Sequence, residues 1–247
     1  MEKNQNILVP CDFKEESISA LIHAAHLAKK KSCGIVLLHL LFPNEELADA
    51  EATMHTWKNK LNEHFDGSIK TIVENGDILT DIGPYCNREN CDLVVMPTHG
   101  MKGIQEMTGS LALNVVTGAQ FPFLIVQSNS TNQNGFSKIL IPIESRHQLI
   151  EEAQSFVQFA KLNQSEVIGY VHDHNEGVRD PQIVFEFEKI FEEANIPFKL
   201  EKCFKFDFSK ATTEFAALIN ADIICTINYS YENLYSINPR TDEEDLI

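Results

Sequence analysis

The stretch Ile7-Leu8-Val9-Pro10-Cys11-Asp12 decides how this chain is read, because its first four residues return as Ile139-Leu140-Ile141-Pro142, 132 positions later. At the same offset the residues Ile18, Leu21, Ala25 and Ala28 fall on Ile150, Ala153, Val157 and Ala160. Spacings of three and four put such residues on one face of a helix, where they meet a core. Farther along, Cys91-Asp92-Leu93-Val94-Val95 matches Ala221-Asp222-Ile223-Ile224-Cys225 at an offset of 130. Three separate blocks at nearly one offset read as an internal duplication. Residues 129–135 (NSTNQNG) are polar, unpatterned and end in glycine, so they read as a linker between domains at 1–130 and 136–247.

Each half alternates strands with helices. In the first, 7–9, 35–41, 69–73, 93–96 and 123–126 are short apolar runs. The run IVLLHLL at 35–41 is almost continuously apolar, as a strand buried on both faces must be. Helices are expected at 18–30, 45–64, 81–90 and 110–117, with Pro84 in the first turn of the third, where its missing N–H costs little. The second half repeats strands at 139–143, 167–171, 199–203 and 223–227, with a helix from Asp180-Pro181 to about Ala194. Such alternation gives an α/β fold of parallel sheets with helices on both faces. The second half is expected to lack its fifth strand, its last helix falling in the acidic stretch 241–247.

Composition narrows the function classes. The 247 residues carry 20 Lys+Arg against 36 Asp+Glu, a net charge of −16, with a hydrophobic fraction of 43%. Cores of this size argue against disorder. Nucleic acid and anionic lipid both attract clustered Lys and Arg, so neither is expected as a partner. The start, MEKNQNILVPCD, lacks the apolar core of a signal peptide. No run approaches the roughly 18 apolar residues of a membrane span, and a cytoplasmic location is expected. The six cysteines form no C-x-x-C pair and read as reduced thiols, Cys11, Cys91 and Cys225 in or beside apolar runs.

In an open parallel sheet of order 3-2-1-4-5, ligands sit beyond the carboxyl ends of strands one and four, where the order reverses. The residues leaving those strands are Pro10-Cys11-Asp12 and Pro97-Thr98-His99-Gly100. A carboxylate there accepts bonds from a ribose hydroxyl or an adenine amine. Gly100, Gly103 and Gly109-Ser110, ahead of a helix, supply the backbone N–H groups and dipole that phosphate needs.

The segments ILVPCDF, VLLHL and DLVVMPTHG, followed by Gly-Ser and a helix, resemble the universal stress protein family in order and spacing. The duplicated layout looks like that of its tandem members. The resemblance implies two flavodoxin-like domains of the adenine nucleotide alpha hydrolase type, pairing of the domains about a two-fold axis, and a role in stress tolerance. It also implies ATP as a candidate ligand, since some members bind it. Carried over residue by residue, Asp12 would meet the adenosine moiety and the Leu40 backbone the adenine. Thr98, Gly100, Gly109 and Ser110 would line the phosphates.

The chain departs from the family's pattern in its loop. Pro97 stands at the first glycine, and eight residues rather than nine separate Gly100 from Gly109. Proline has no N–H and a fixed φ. In the second half Asp12 becomes Glu144, the glycine loop becomes Asn228-Tyr229-Ser230, and Gly177 is the last glycine of the sequence.

The expected function is therefore a non-enzymatic stress-response module with one nucleotide pocket, in the first domain. The rivals are a nucleotide-free scaffold that meets a regulatory protein partner through its surface, and a slow ATP-hydrolysing or self-phosphorylating enzyme. Phe123–Val126, apolar and at a sheet edge, is the expected pairing strand, within the chain or in a homodimer.

Other residues have plainer readings. His172-Asp173-His174 is expected in a solvated loop rather than on a metal. His23 and His26 lie off the apolar stripe of their helix, where solvent or an interhelical bond is expected. His99 has no nucleophile nearby in sequence, and Trp57 is a packing anchor.

Overall fold

The computed structural model describes residues 5–15, 17–97, 121–126, 135–143, 148–174, 177–178 and 181–227. The chain divides between Thr131 and Asn132 into two compact units. Unit 1 contains β1 (Asn6–Pro10), α1 (Ser17–Lys31), β2 (Ile35–Leu40), α2 (Leu47–Asn62), β3 (Ile69–Glu74), α3 (Ile78–Glu89), β4 (Cys91–Pro97) and β5 (Phe123–Val126). Unit 2 contains β6 (Lys138–Ile143), α4 (Gln148–Asn163), β7 (Glu166–His174), β8 (Gly177–Val178), α5 (Pro181–Glu193), β9 (Phe198–Cys203), α6 (Phe208–Ile219) and β10 (Ile223–Ile224).

The sheet of unit 1 runs β3-β2-β1-β4-β5, every pair parallel. Its central strand is apolar on both faces, with Ile7, Leu8 and Val9 fully buried. Leu8, Val36, Leu38 and Val94 form one core layer with Ile72, Ile82, Tyr85 and Cys86 beneath α3. The alternate residues Ile7, Val9, Ile35 and Leu37 are buried as well. The period of two that separates these two sets is the pleat of a strand buried on both faces. The outer strand β3 is edged by charge: Arg88 pairs with Glu74 at 3.0 Å, and the Tyr85 hydroxyl donates to the same carboxylate at 2.9 Å. A charged edge discourages pairing with other chains.

Unit 2 follows the same plan. β6 pairs in parallel with β7 and β10, and β9 lies outside β7. In its own strand order this is 3-2-1-4, and among the described residues the sheet has no counterpart of β5. Phe187 and Phe191 of α5 are fully buried against Ile139, Ile141 and Val171. The two units also close their helices alike: Ser32 after α1 and Gln164 after α4 both have φ of 53°. Asn90 after α3 and Asn220 after α6 do the same at 53° and 51°. Each is a left-handed residue that ends the helix and turns the chain into the next strand.

Three expectations need correction. α3 starts at Ile78, so Pro84 stands in the helix interior rather than its first turn. The reason is a cap formed upstream: Asp81 reaches back to accept from the Asp77 N–H at 2.8 Å, while the Asp81 N–H donates to the Asp77 carbonyl at 2.9 Å. His23 is buried rather than solvent-facing, its Nδ1 bonded at 2.8 Å to the Ser19 carbonyl one turn back. The stretch His172-Asp173-His174 is no loop; it extends β7 into an antiparallel hairpin with β8. There the His172 ring bonds the Lys205 carbonyl at 2.7 Å and stacks on Phe208, and buried Asp173 pairs with Lys202 at 2.8 Å. Both polar groups thus have a local partner. No helix of the described residues is long and apolar enough to cross a membrane.

Candidate functional site

The carboxyl ends of β1, β2 and β4 lie side by side, since β1 pairs with both neighbours. Asp12 leaves β1 with its side chain wholly buried. Its Oδ1 accepts from the Lys14 N–H at 3.2 Å and from the Ser17 hydroxyl at 3.0 Å. These two bonds tie the loop to the start of α1, as short acidic side chains do in turns. Its Oδ2 forms an ion pair with the Lys14 ammonium at 3.1 Å, without a well-directed hydrogen bond. A buried carboxylate oxygen paired this way keeps lone-pair capacity for a further donor.

The turn itself is strained. Phe13 has φ of 62°, a left-handed conformation that is unfavourable for an aromatic residue. Its ring offsets this by stacking on His39 with centroids 4.0 Å apart, and it lies 6.0 Å from the Trp57 ring of α2. Trp57 is buried, the packing anchor the sequence suggested, with the Lys60 ammonium 4.8 Å over its face.

His39 stands in β2 with its side chain 1% exposed. Its Nδ1 bonds the Cys11 carbonyl at 2.8 Å and its Nε2 bonds Glu45 Oε2 at 3.0 Å. Glu45 also accepts from the Phe42 N–H at 2.9 Å. Partial burial pushes the Glu45 carboxyl up, but the Phe42 N–H and the His39 ring outweigh it and hold the group below its ordinary range. The Cys11 thiol beside them is pushed up to about 12 by burial, partly countered by the Phe13 N–H that faces its sulfur.

Of the residues the sequence nominated, the fold brings Asp12 and Leu40 to the ends of adjacent strands. Pro97 closes β4, buried and paired in register with Val126. Thr98, His99, Gly100, Gly109 and Ser110 lie outside the described residues, as do Glu144, Asn228-Tyr229-Ser230 and 241–247. Phe13, Lys14, Ser17, His39 and Glu45 were not nominated. One signal was there to be read: a histidine inside the apolar run IVLLHL must find partners once that strand is buried. The arrangement can accept a hydrogen bond from a hydroxyl or amine at Asp12 and offer main-chain groups at Leu40. Among the described residues no cluster of His, Cys, Asp and Glu is placed to hold a metal ion.

Comparison with known proteins agrees with this fold. Residues 3–127 match the model of the universal stress protein family. A universal stress protein of Methanocaldococcus jannaschii is 26% identical over 139 residues, covering 50% of this chain and 82% of the relative. Among solved structures, a universal stress protein from Archaeoglobus fulgidus superposes with a TM-score of 0.69 at 15% identity, covering 92% of this chain and 87% of its own. A protein described as a putative universal stress protein of Pseudomonas aeruginosa gives 0.63 at 13% identity, over 98% of this chain and 88% of its own.

Proposed function

The chain belongs to the universal stress protein family, and on that premise we propose that unit 1 is a non-enzymatic regulatory module that takes an adenine nucleotide, ATP, as its ligand. The observation that carries this reading is the Asp12 carboxylate. Its side chain is wholly buried, Oδ1 is occupied by the loop, and Oδ2 is ion-paired to the Lys14 ammonium without a well-directed hydrogen bond. It sits where an open parallel sheet receives ligands. A ribose hydroxyl or the adenine amine adds a directed donor to Oδ2 beside Lys14, and the Leu40 main chain offers a donor and an acceptor to the purine edge. The nearest thiol, Cys11, is protonated at neutral pH because burial pushes it up to about 12, which favours a binding role over nucleophilic chemistry.

Native mass spectrometry on the undialysed protein, followed by calorimetric titration with Mg-ATP, ADP and AMP, tests the reading. Saturable binding, weakened at least tenfold by Asp12→Ala, is the expected result. A protein that carries no nucleotide and gives no heat at millimolar concentration rejects it. That outcome favours the second reading, a scaffold that meets a regulatory protein partner without nucleotide. One feature supports the scaffold: Pro97 cannot donate an N–H at the position where the family's loop begins with glycine.

A further inference from the structure

Parallel strands bond their neighbours through alternate residues. In β2 and its flanks the Gly34 and Leu38 carbonyls face β1, accepting from the Ile7 N–H at 3.0 Å and the Cys11 N–H at 2.9 Å. Ile35 and Leu41 face β3 instead, donating to the Ser68 and Glu74 carbonyls at 2.9 and 3.0 Å. By this alternation the N–H and carbonyl of Leu40 face the β1 side. The next rung would run from the Leu40 N–H to the Cys11 carbonyl and from the Phe13 N–H to the Leu40 carbonyl.

Neither bond forms. The β1–β2 register ends at Pro10 opposite Leu38. The Cys11 carbonyl is bonded by the His39 ring at 2.8 Å. The Phe13 N–H faces the Cys11 sulfur instead. Leu40 stands opposite Glu74 in the β2–β3 register, but among the described residues no hydrogen bond is made by its own N–H or carbonyl. Leu40 as a whole is half-buried.

We propose that His39 is a positioning residue that stops the β1–β2 ladder one rung short and thereby reserves the Leu40 N–H and carbonyl for a ligand. The geometry of the ring suits the task. The ring meets the Cys11 carbonyl through Nδ1 at 2.8 Å and the Glu45 carboxylate through Nε2 at 3.0 Å. Glu45 is in turn fixed by the Phe42 N–H at 2.9 Å, and the Phe13 ring lies flat on the imidazole at 4.0 Å. The ring is thus held by three separate contacts and cannot leave the Cys11 carbonyl without breaking all of them. That the ligand is a purine rests on the nucleotide reading above; the interrupted ladder does not.

Native-state amide exchange followed by NMR on the full chain tests the proposal without any ligand. In the wild type the Leu40 amide should exchange at least 100-fold faster than the Leu38 amide. In His39→Leu, which removes both ring contacts and places an apolar side chain there, the ladder should advance and slow Leu40 exchange at least tenfold. Glu45→Gln, at a partly exposed position, should move it the same way by a smaller factor. It also serves as the deciding variant if His39→Leu does not fold. A merely structural histidine would lower melting temperature without slowing this single amide. A Leu40 amide as slow as Leu38 in the wild type overturns the proposal. So does unchanged Leu40 exchange in the folded variants. Titration of ATP in the same samples separates the two claims. If the wild type binds none while the amide pattern holds, the nucleotide reading fails and the ladder stop stands. If the wild type binds and both folded variants bind equally well, the reserved groups serve no ligand and the proposal falls.

Discussion

Phe13 carries the largest local cost at the site, a left-handed φ on an aromatic side chain, and its partners offset it. The ring stacks on His39 at 4.0 Å, and the flanking loop is tied down by the two bonds to Asp12 Oδ1. Strain of this kind costs about 1–3 kcal/mol and persists only where the surroundings impose it. Burial acts just as locally on the thiols. Cys11, Cys86 and Cys91 are buried, and burial pushes each up to about 12. The thiolate is the reactive form, so iodoacetamide at pH 8 should label these three at least about 1,000-fold more slowly in the native protein than in denaturant. Mass spectrometry of timed samples reads this directly, and rapid native labelling of all three would show that the strand ends open readily. Asp12 was legible in the sequence because a residue just past an apolar run is a strand end whatever surrounds it, whereas Leu40, inside the run 35–41, was nominated only through the family resemblance. Phe13, Lys14 and Glu45 were not, because their roles come from neighbours that only the folded loop brings together.

At the scale of elements, α3 shows how a local cap outweighs a breaker. Asp77 and Asp81 bond each other reciprocally and begin the helix at Ile78, which packs against the core layer of Leu8 and Val36. The helix therefore carries both Gly83 and Pro84 in its interior. Apart from its chain neighbours and the helix backbone, a Cβ on Gly83 meets nothing within 4 Å. The neighbour that matters is Pro84, whose ring crowds the Cβ of the residue before it when that residue is helical. Gly83→Ala should therefore fall short of the gain of about 0.5–1 kcal/mol that alanine brings over glycine elsewhere in a helix interior. Chemical denaturation measures the change, and the full gain would mean that the helix opens just before Pro84. The strands were easier to read than this helix start. Their period of two and apolar runs are properties of the strand itself, whereas the cap depends on two carboxylates whose bonding the sequence leaves open.

For the whole molecule, charge is the dominant collective quantity. With 36 acidic against 20 basic side chains the net charge is −16. The ion pairs are mostly at the surface, as Arg88–Glu74 is with both side chains 46% exposed. Such pairs contribute roughly 0–1 kcal/mol each and weaken with salt, but self-repulsion of the excess acid weakens too. The excess is large, so repulsion wins the comparison. Raising NaCl from low to physiological concentration at pH 7 should raise the melting temperature by calorimetry. A fall would show that the ion pairs outweigh the net charge.

Hydrophobic alternation, the repeated strand-and-helix blocks and the residues that end each strand were determined by the sequence alone, because each depends on the spacing of apolar side chains along one segment. They suffice for the parallel sheet and for Asp12 at the carboxyl end of its first strand, while the order β3-β2-β1-β4-β5 is seen in the fold itself. What only the tertiary structure decided is how the polar groups there are shared out. His39 could have bonded water, a neighbouring strand or a helix end. It takes the Cys11 carbonyl because β1 lies beside β2, and Glu45 because the loop folds back over the ring. Hydrogen-bond partners are chosen by distance in space, and residues far apart in the chain become neighbours only when the sheet has formed.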